Sequence, residues 1–361
     1  MTAATMIASL GTMRAAILYG KEDVRVESVP VPAIGPGELL IRVRAALTCG
    51  TDVKVFRRGY HAKMITPPAL FGHELAGDVA AAGAGVTKFT VGDRVVAANS
   101  APCDRCFFCL HGQQNLCEDL LFNNGAYAEF IRIPARIVAK NTYSIPGDLD
   151  YRDAALAEPL ACVLRGLDEC QVRPGDTVAI MGLGPIGLMF VRLARHAFGA
   201  RVIAIARRLE QVDRAVVLGA HEGILMGRND SHDGHALISE IRSRTDGRGA
   251  DVVIEAVGQP ETWELATQLV RKGGTINFFG GCPTGTKVGL DTSLLHYSEI
   301  TCKASFHHTP SHVRRSLEWI AQGAVDARHI VNHDQPLSDL PQVLHDLANR
   351  RNGQIKTAII P

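Results

Sequence analysis

The chain has 361 residues, 46% of them apolar, and its 38 basic and 37 acidic side chains leave a formal net charge of +1. That length exceeds what one hydrophobic core usually serves, so two domains are expected. The balanced charge excludes a chain built to grip polyanions or a membrane surface, because phosphate contacts need clustered Lys and Arg; neither a nucleic acid nor a membrane is expected as partner.

In chain order, Met1 to Thr12 lack the basic n-region and the length of a secretion signal; a flexible tail is expected there, with the fold starting near Met13 and the cytoplasm as compartment. From Met13 to about Val96, alternating segments such as Leu39-Leu40-Ile41-Arg42-Val43-Arg44 are separated by turn clusters at Pro30 to Pro36 and Gly92-Asp93, a mostly β pattern. A cysteine-rich stretch expected to be irregular follows, then Ala126 to Val138 resumes β character and Tyr151 to Leu167 turns helical. The pattern then changes. Strands are predicted at Thr177 to Met181, Arg201 to Ala206, Asp251 to Ala256 and Thr275 to Phe279, with helices at Gly187 to Phe198, Glu210 to Leu218 and Glu261 to Val270. Such alternation predicts an α/β fold with a doubly wound parallel sheet. The longest apolar stretch, Thr177 to Ala194, is broken by Gly182, Gly184, Pro185, Gly187 and Arg192, so it reads as strand, turn and helix rather than a membrane span. Beyond Ser311 a helix through Gln322 and a last strand near Lys356 to Ile360 are the readable elements.

Cys103, Cys106, Cys109 and Cys117 form the ladder C-x2-C-x2-C-x7-C. Two-residue gaps let one loop wrap thiolates around a single tetrahedral ion, and four protein ligands close every position, so a structural zinc site is expected. The other reading, a disulfide cluster, needs an oxidising compartment that nothing in the chain marks.

Gly182-Leu-Gly184-Pro185-Ile186-Gly187 follows a predicted strand and opens a predicted helix, the context that the G-x-G-x-x-G signal requires. The first glycine allows the tight turn, the second admits a pyrophosphate, the third lets helix pack on strand, and the helix N-terminus offers free N–H groups. At the end of the second strand, an acidic residue would grip the ribose hydroxyls of NAD. Here Ala206 is followed by Arg207 and Arg208, which predicts room and positive charge for the 2′-phosphate of NADP. The alternative is that both arginines are solvated and NAD binds through other contacts. Val257 and Gly258, just after the strand ending at Ala256, are placed among the coenzyme contacts.

Cys49-Gly50-Thr51-Asp52 and Gly72-His73-Glu74 taken singly read as a buried thiol and a core histidine. Their order with the four-cysteine loop, Glu158-Pro159-Leu160-Ala161 and the glycine fingerprint resembles the zinc-containing medium-chain alcohol dehydrogenases, in their polyol (sorbitol) and threonine dehydrogenase branch. The resemblance runs from Met13 to the C-terminus. It implies a mostly β, GroES-like catalytic domain of residues 13–165 and 309–361, and a Rossmann domain of residues 166–308. It also implies two Zn2+ per subunit, a small-molecule alcohol or polyol substrate, and a homotetramer or homodimer.

Residue by residue, the resemblance implies Cys49, His73 and Glu158 as ligands of a catalytic zinc, with Glu74 ligating or adjacent and Cys162 a rival to Glu158. Zinc in such a site lowers the pKa of the alcohol while hydride leaves carbon for the nicotinamide. Thr51 matches the hydroxyl that relays the proton, a group able to donate and accept at once. The chain departs from its relatives at Lys54, where the relay commonly ends in histidine, and at Phe306-His307-His308, where sorbitol dehydrogenases carry a basic residue near the sugar. His307 is expected either to replace that residue or to be an exposed loop histidine. A zinc-free reductase of the same superfamily would lack the metal ligands, and a zinc-ribbon nucleic-acid module is opposed by the balanced charge.

Overall fold

Alternation builds the first sheets. In β1 (Thr12–Gly20) Met13, Ala15 and Leu18 are buried while Thr12, Arg14 and Tyr19 face outward. A computed structural model describes residues 11–361 apart from 62, 228–233, 326 and 350–353. Most of the expected tail, residues 1–10, lies outside the described residues, and Thr12 already pairs with Pro30. After β1 come β2 (Asp23–Pro30), β3 (Leu39–Leu47), β4 (Ala69–Leu70), β5 (Glu74–Ala82), β6 (Arg94–Ala97), β7 (Ser100–Ala101), β8 (Leu121–Phe122), β9 (Phe130–Ile133) and β10 (Thr142–Ser144). The second half contains β11 (Thr177–Met181), β12 (Arg201–Ala206), β13 (Glu222–Leu225), β14 (Ala250–Glu255), β15 (Val270–Phe278) and β16 (Thr301–Ala304), and the chain ends with β17 (His333–Pro336) and β18 (Thr357–Ile360).

These elements fall into two compact units, one running to Ala161 and resuming at His308, the other spanning Cys162–His307. The first holds a sheet in the order β10-β6-β5-β3-β18-β17, with β9 also pairing β3, and a smaller sheet β2-β1-β4. Its core gathers Leu39, Ile41, Phe56, Phe71, Tyr127 and Ile359. The second is a six-stranded parallel sheet in the order β13-β12-β11-β14-β15-β16, the doubly wound arrangement whose strand order reverses beside β11. Its central strands β11, β12 and β14 are largely apolar and buried, whereas the edge strand β16 is mostly exposed, and Met181, Ile203, Ile205, Val253 and Ile276 are among its core residues.

Local structure differs from expectation in several places. Within the β-rich first half, Gly50–Arg58 is a helix. In the stretch Ala126 to Val138 only β9 is extended; Pro134 then starts the helix Ala135–Asn141, whose Ile137, Val138 and Asn141 share one buried face at helical spacing. The cysteine loop contains one helical turn, Phe107–Leu110, and a 3-10 turn, Gln114–Leu116. The expected helix from Tyr151 divides into Tyr151–Ala155 and Ala157–Glu169. After the helix Pro310–Ala321, a further helix spans Leu340–Ala348. Among the described residues no helix is long and apolar enough to cross a membrane.

Candidate functional site

Antiparallel register sets up the first cluster. Leu47 of β3 pairs with Glu74 of β5, so Cys49, just past the end of one strand, and His73, just before the start of the other, emerge at the same place. Cys49 then caps the helix Gly50–Arg58: its Sγ accepts from the Thr51 N–H at 3.4 Å, and Asp52 returns a carboxylate oxygen to the Cys49 N–H at 3.1 Å. The ligating atoms of Cys49, His73 and Glu74 all lie within 4.8 Å of one another.

Asp52 is the pivot of this cluster. Its Oδ1 lies 2.9 Å from His73 Nδ1, and its Oδ2 accepts from the Tyr127 hydroxyl at 2.6 Å. Gly72, at φ +88°, leaves room for that tyrosine, since a Cβ there would sit 2.5 Å from the ring. With Nδ1 turned to a carboxylate, the imidazole keeps Nε2 for a metal, the arrangement that fixes a ligand histidine's tautomer. Burial opposes a charged His73, but Asp52 and the Cys49 sulfur outweigh it and push its pKa well up. A pocket that so favours positive charge and offers sulfur, nitrogen and carboxylate donors fits zinc.

Glu74 is fully buried, and burial together with Glu158 pushes its carboxyl up to about 7 against the pull of Lys356 and His73. Lys356 Nζ donates to Glu74 Oε1 at 2.9 Å and to the Thr48 carbonyl at 2.8 Å, and lies 2.6 Å from Glu74 Oε2. Glu158, buried near the start of the helix Ala157–Glu169, stands outside the 4.8 Å group; its Oε1 is 3.2 Å from His308 Nε2, which also approaches Asn99 Oδ1 at 3.4 Å. Cys162 follows on the same helix, in the second unit. Thr51 is half-buried in the helix capped by Cys49, and Lys54 on that helix is exposed. His307 takes a left-handed φ of +64° at the end of the second unit.

The four-cysteine ladder closes on itself. Its sulfurs all lie within 4.8 Å of one another, none of the four is in a disulfide, and Cys103 Sγ is 4.0 Å from Cys109 Sγ. The Arg105 N–H and further donors lower Cys103 to about 6, whereas burial and the neighbouring sulfurs push Cys109 up to about 12. Four thiolates this close would repel without a cation between them, so the donor set fits a tetrahedral ion such as zinc.

In the second unit, β11 leads into Gly182 at φ +90°. Gly184 precedes the helix Pro185–His196, which has no side-chain cap, and Pro185 and Ile186 open its first turn. A Cβ on Gly187 would fall 1.9 Å from the Gly182 carbonyl, which is why helix and strand can pack so closely there. Ala206 ends β12 buried; Arg207 and Arg208 follow, both exposed, with Arg208 3.2 Å from Glu210. Val257 is exposed and Gly258 is left-handed beside the glycine loop.

Asp52, Tyr127, Lys356 and His308 were not among the residues expected in the site. Asp52 had a sequence signal, three residues past Cys49 in the helix-capping position; the others had none of comparable strength.

Two family models match the chain: the alcohol dehydrogenase GroES-like domain over residues 35–146, and zinc-binding dehydrogenase over residues 185–322. Sorbitol dehydrogenase of Bacillus subtilis (strain 168) is 32% identical over 357 residues, covering 97% of each chain. L-threonine 3-dehydrogenase of Bacillus licheniformis is 34% identical over 359 residues, covering 97% of this chain and 99% of that one. Among solved structures, a Sinorhizobium meliloti 1021 protein assigned as a zinc-binding dehydrogenase and bound to NADP superposes with a TM-score of 0.87 at 32% identity, over 97% of this chain and 100% of that one.

Proposed function

The chain belongs to the zinc-type medium-chain alcohol dehydrogenases, in the branch of the sorbitol and threonine dehydrogenases, and from that premise we propose that it moves hydride between NADP(H) and a secondary alcohol of polyol or sugar type. The observation that supports this most is the cluster of half-buried Cys49 with buried His73 and Glu74, backed by Asp52. In this reading Cys49 and His73, with Glu158 or Glu74, hold a catalytic zinc, and the four-cysteine cage holds a second, structural ion. Zinc in the first site supplies a Lewis acid for the alcohol oxygen. Asp52 keeps His73 Nδ1 occupied, and the Thr51 hydroxyl, able to accept and donate together, moves the alcohol proton away. We assign residues 13–165 and 309–361 to the catalytic domain and 166–308 to the coenzyme domain, and read the assembly as a homotetramer or homodimer in the cytoplasm. A threonine-type hydroxy amino acid as substrate is the second reading, favoured by the similarity to L-threonine 3-dehydrogenases.

A panel of polyols, sugars, hydroxy amino acids and simple secondary alcohols, assayed with NADP+ and with NAD+, tests both readings. The expected result is NADPH formation with a polyol or sugar; turnover of threonine alone would select the second reading, and no alcohol-dependent turnover would refute both.

The coenzyme assignment has its own test. Ala206→Asp places a carboxylate where the 2′-phosphate is proposed to lie, next to Arg207. Like-charge repulsion and loss of the open space are expected to shift the ratio of kcat/KM values toward NAD by about a hundredfold, of the order of two tenfold steps in transition-state binding. An unchanged ratio would remove Arg207 and Arg208 from the phosphate site.

A further inference from the structure

We infer that Glu255 is a positioning residue for the coenzyme, its buried carboxylate fixing the Val257-Gly258 turn against the glycine loop; this rests on the dinucleotide-binding reading above. Glu255 is the last residue of β14, at the end of the sheet where the strand order reverses, and its side chain is fully buried. Its Oε1 accepts from the N–H groups of Val257 and Gly258, each at 2.9 Å, and from the Thr262 hydroxyl at 2.7 Å. Its Oε2 lies 3.2 Å from the Gly258 N–H. Two successive backbone amides converging on one carboxylate oxygen hold a turn more firmly than neutral acceptors do.

That turn packs directly on the coenzyme loop. A Cβ on Gly182 would lie 2.6 Å from Val257 Cγ2, and the Ala256 N–H donates to the Met181 carbonyl at 2.9 Å. On the other side, a Cβ on Gly280 would fall 2.7 Å from Glu255 Oε2 and 2.4 Å from the Gly258 nitrogen, so the segment just after β15 packs tightly on the turn. Val257 is 40% exposed, an apolar side chain held beside the loop whose free amides would take the pyrophosphate. Among the described residues, the groups that donate to the Glu255 carboxylate, the Val257 and Gly258 N–H groups and the Thr262 hydroxyl, are neutral. A buried carboxylate is costly in such surroundings, and a plain structural turn at a strand end does not require one.

The test is direct titration of the zinc-loaded protein with NADPH. Glu255→Ala is expected to weaken Kd by about tenfold, the size of losing a charge-assisted hydrogen bond, while zinc content stays at the wild-type value. Glu255→Gln should lose less, because its carbonyl oxygen can still accept from Val257 and Gly258 while its amide meets a donor. A folded alanine variant that binds NADPH as the wild type does, with only a lowered melting temperature, would assign Glu255 to folding and overturn the inference. Should the alanine variant not fold, Glu255→Gln decides: a several-fold weaker Kd supports the inference and an unchanged one overturns it. Wild-type protein that binds neither NADPH nor NADH would refute the dinucleotide reading, and this inference with it.

Discussion

Replacing His73 with alanine is expected to lower kcat/KM for alcohol oxidation by at least about a thousandfold, because a Lewis-acid metal contributes several kcal/mol and each 1.36 kcal/mol is tenfold in rate. Elemental analysis should show bound zinc falling from about two ions per chain to about one, since the cysteine cage draws on none of the same residues. Asp52→Asn gives the sharper version. The Asp52 Oδ2 already accepts from the Cys49 N–H and the Tyr127 hydroxyl, so an asparagine oxygen would keep that place and turn its NH2 toward His73 Nδ1. Two donors would then face each other unless the imidazole moved its proton to Nε2, the nitrogen needed for the metal. Zinc affinity at this site, measured by competition with a chromophoric chelator, should fall about 10- to 100-fold, with circular dichroism unchanged. Undiminished zinc and activity in His73→Ala would remove this cluster from the chemistry altogether.

How much of this was legible in the sequence depended on how far apart the partners lie. The glycine fingerprint and the cysteine ladder are local, each lying within one short stretch: the strand, left-handed Gly182 and helix follow in the order expected, and the four sulfurs gather, although the cysteine stretch holds a helical turn and a 3-10 turn where an irregular loop was expected. Cys49, His73 and Glu158 could be linked in the sequence only through the order of motifs along the chain, because no spacing rule links a strand end to a residue in a distant helix; the structure gathers Cys49 and His73 with Glu74, and Glu158 lies outside that group. Lys356 was invisible for the same reason. It meets Glu74 across 282 residues, brought there because β18 lies beside β3, and a lysine ahead of an apolar strand ordinarily signals solvent. Strands were missed where the extended backbone is set by pairing with a neighbour rather than by an apolar pattern. β17 is His333-Asp-Gln-Pro336, polar throughout, and is extended because it pairs with β18. β13 is four residues with a glycine inside, extended because it lies parallel to β12. The helix Gly50–Arg58 was hidden in a β-rich context, although the Cys49 and Asp52 capping pair and Gly59 at φ +91° mark both of its ends.

Lys356→Met is expected to destabilise the zinc-loaded protein by about 3–5 kcal/mol, the cost of leaving one partner of a buried ion pair without the other. Lys356 is 2% exposed and Glu74 is fully buried, so neither charge can turn to water. Methionine fills most of the space of the lysine stem, so the loss reports electrostatics more than packing. The same substitution decides which partner Glu74 takes. Both of its oxygens lie within 2.9 Å of the ammonium in this structure, which leads to the expectation that the carboxylate stays with Lys356 and sets the charge behind the metal rather than binding it. On that arrangement, adding Glu74→Gln to Lys356→Met removes the stranded charge and should recover most of the loss in denaturant unfolding, a large coupling between the two sites. If Glu74 instead turned to the zinc, its charge would already be met by the ion, Lys356→Met would cost little, and Glu74→Gln would release metal on its own. The Thr48 carbonyl, which also accepts from Lys356, ties this pair to the residue before Cys49. A Lys356→Met variant of undiminished stability that loses zinc when Glu74→Gln is added would therefore transfer the third ligand position from Glu158 to Glu74.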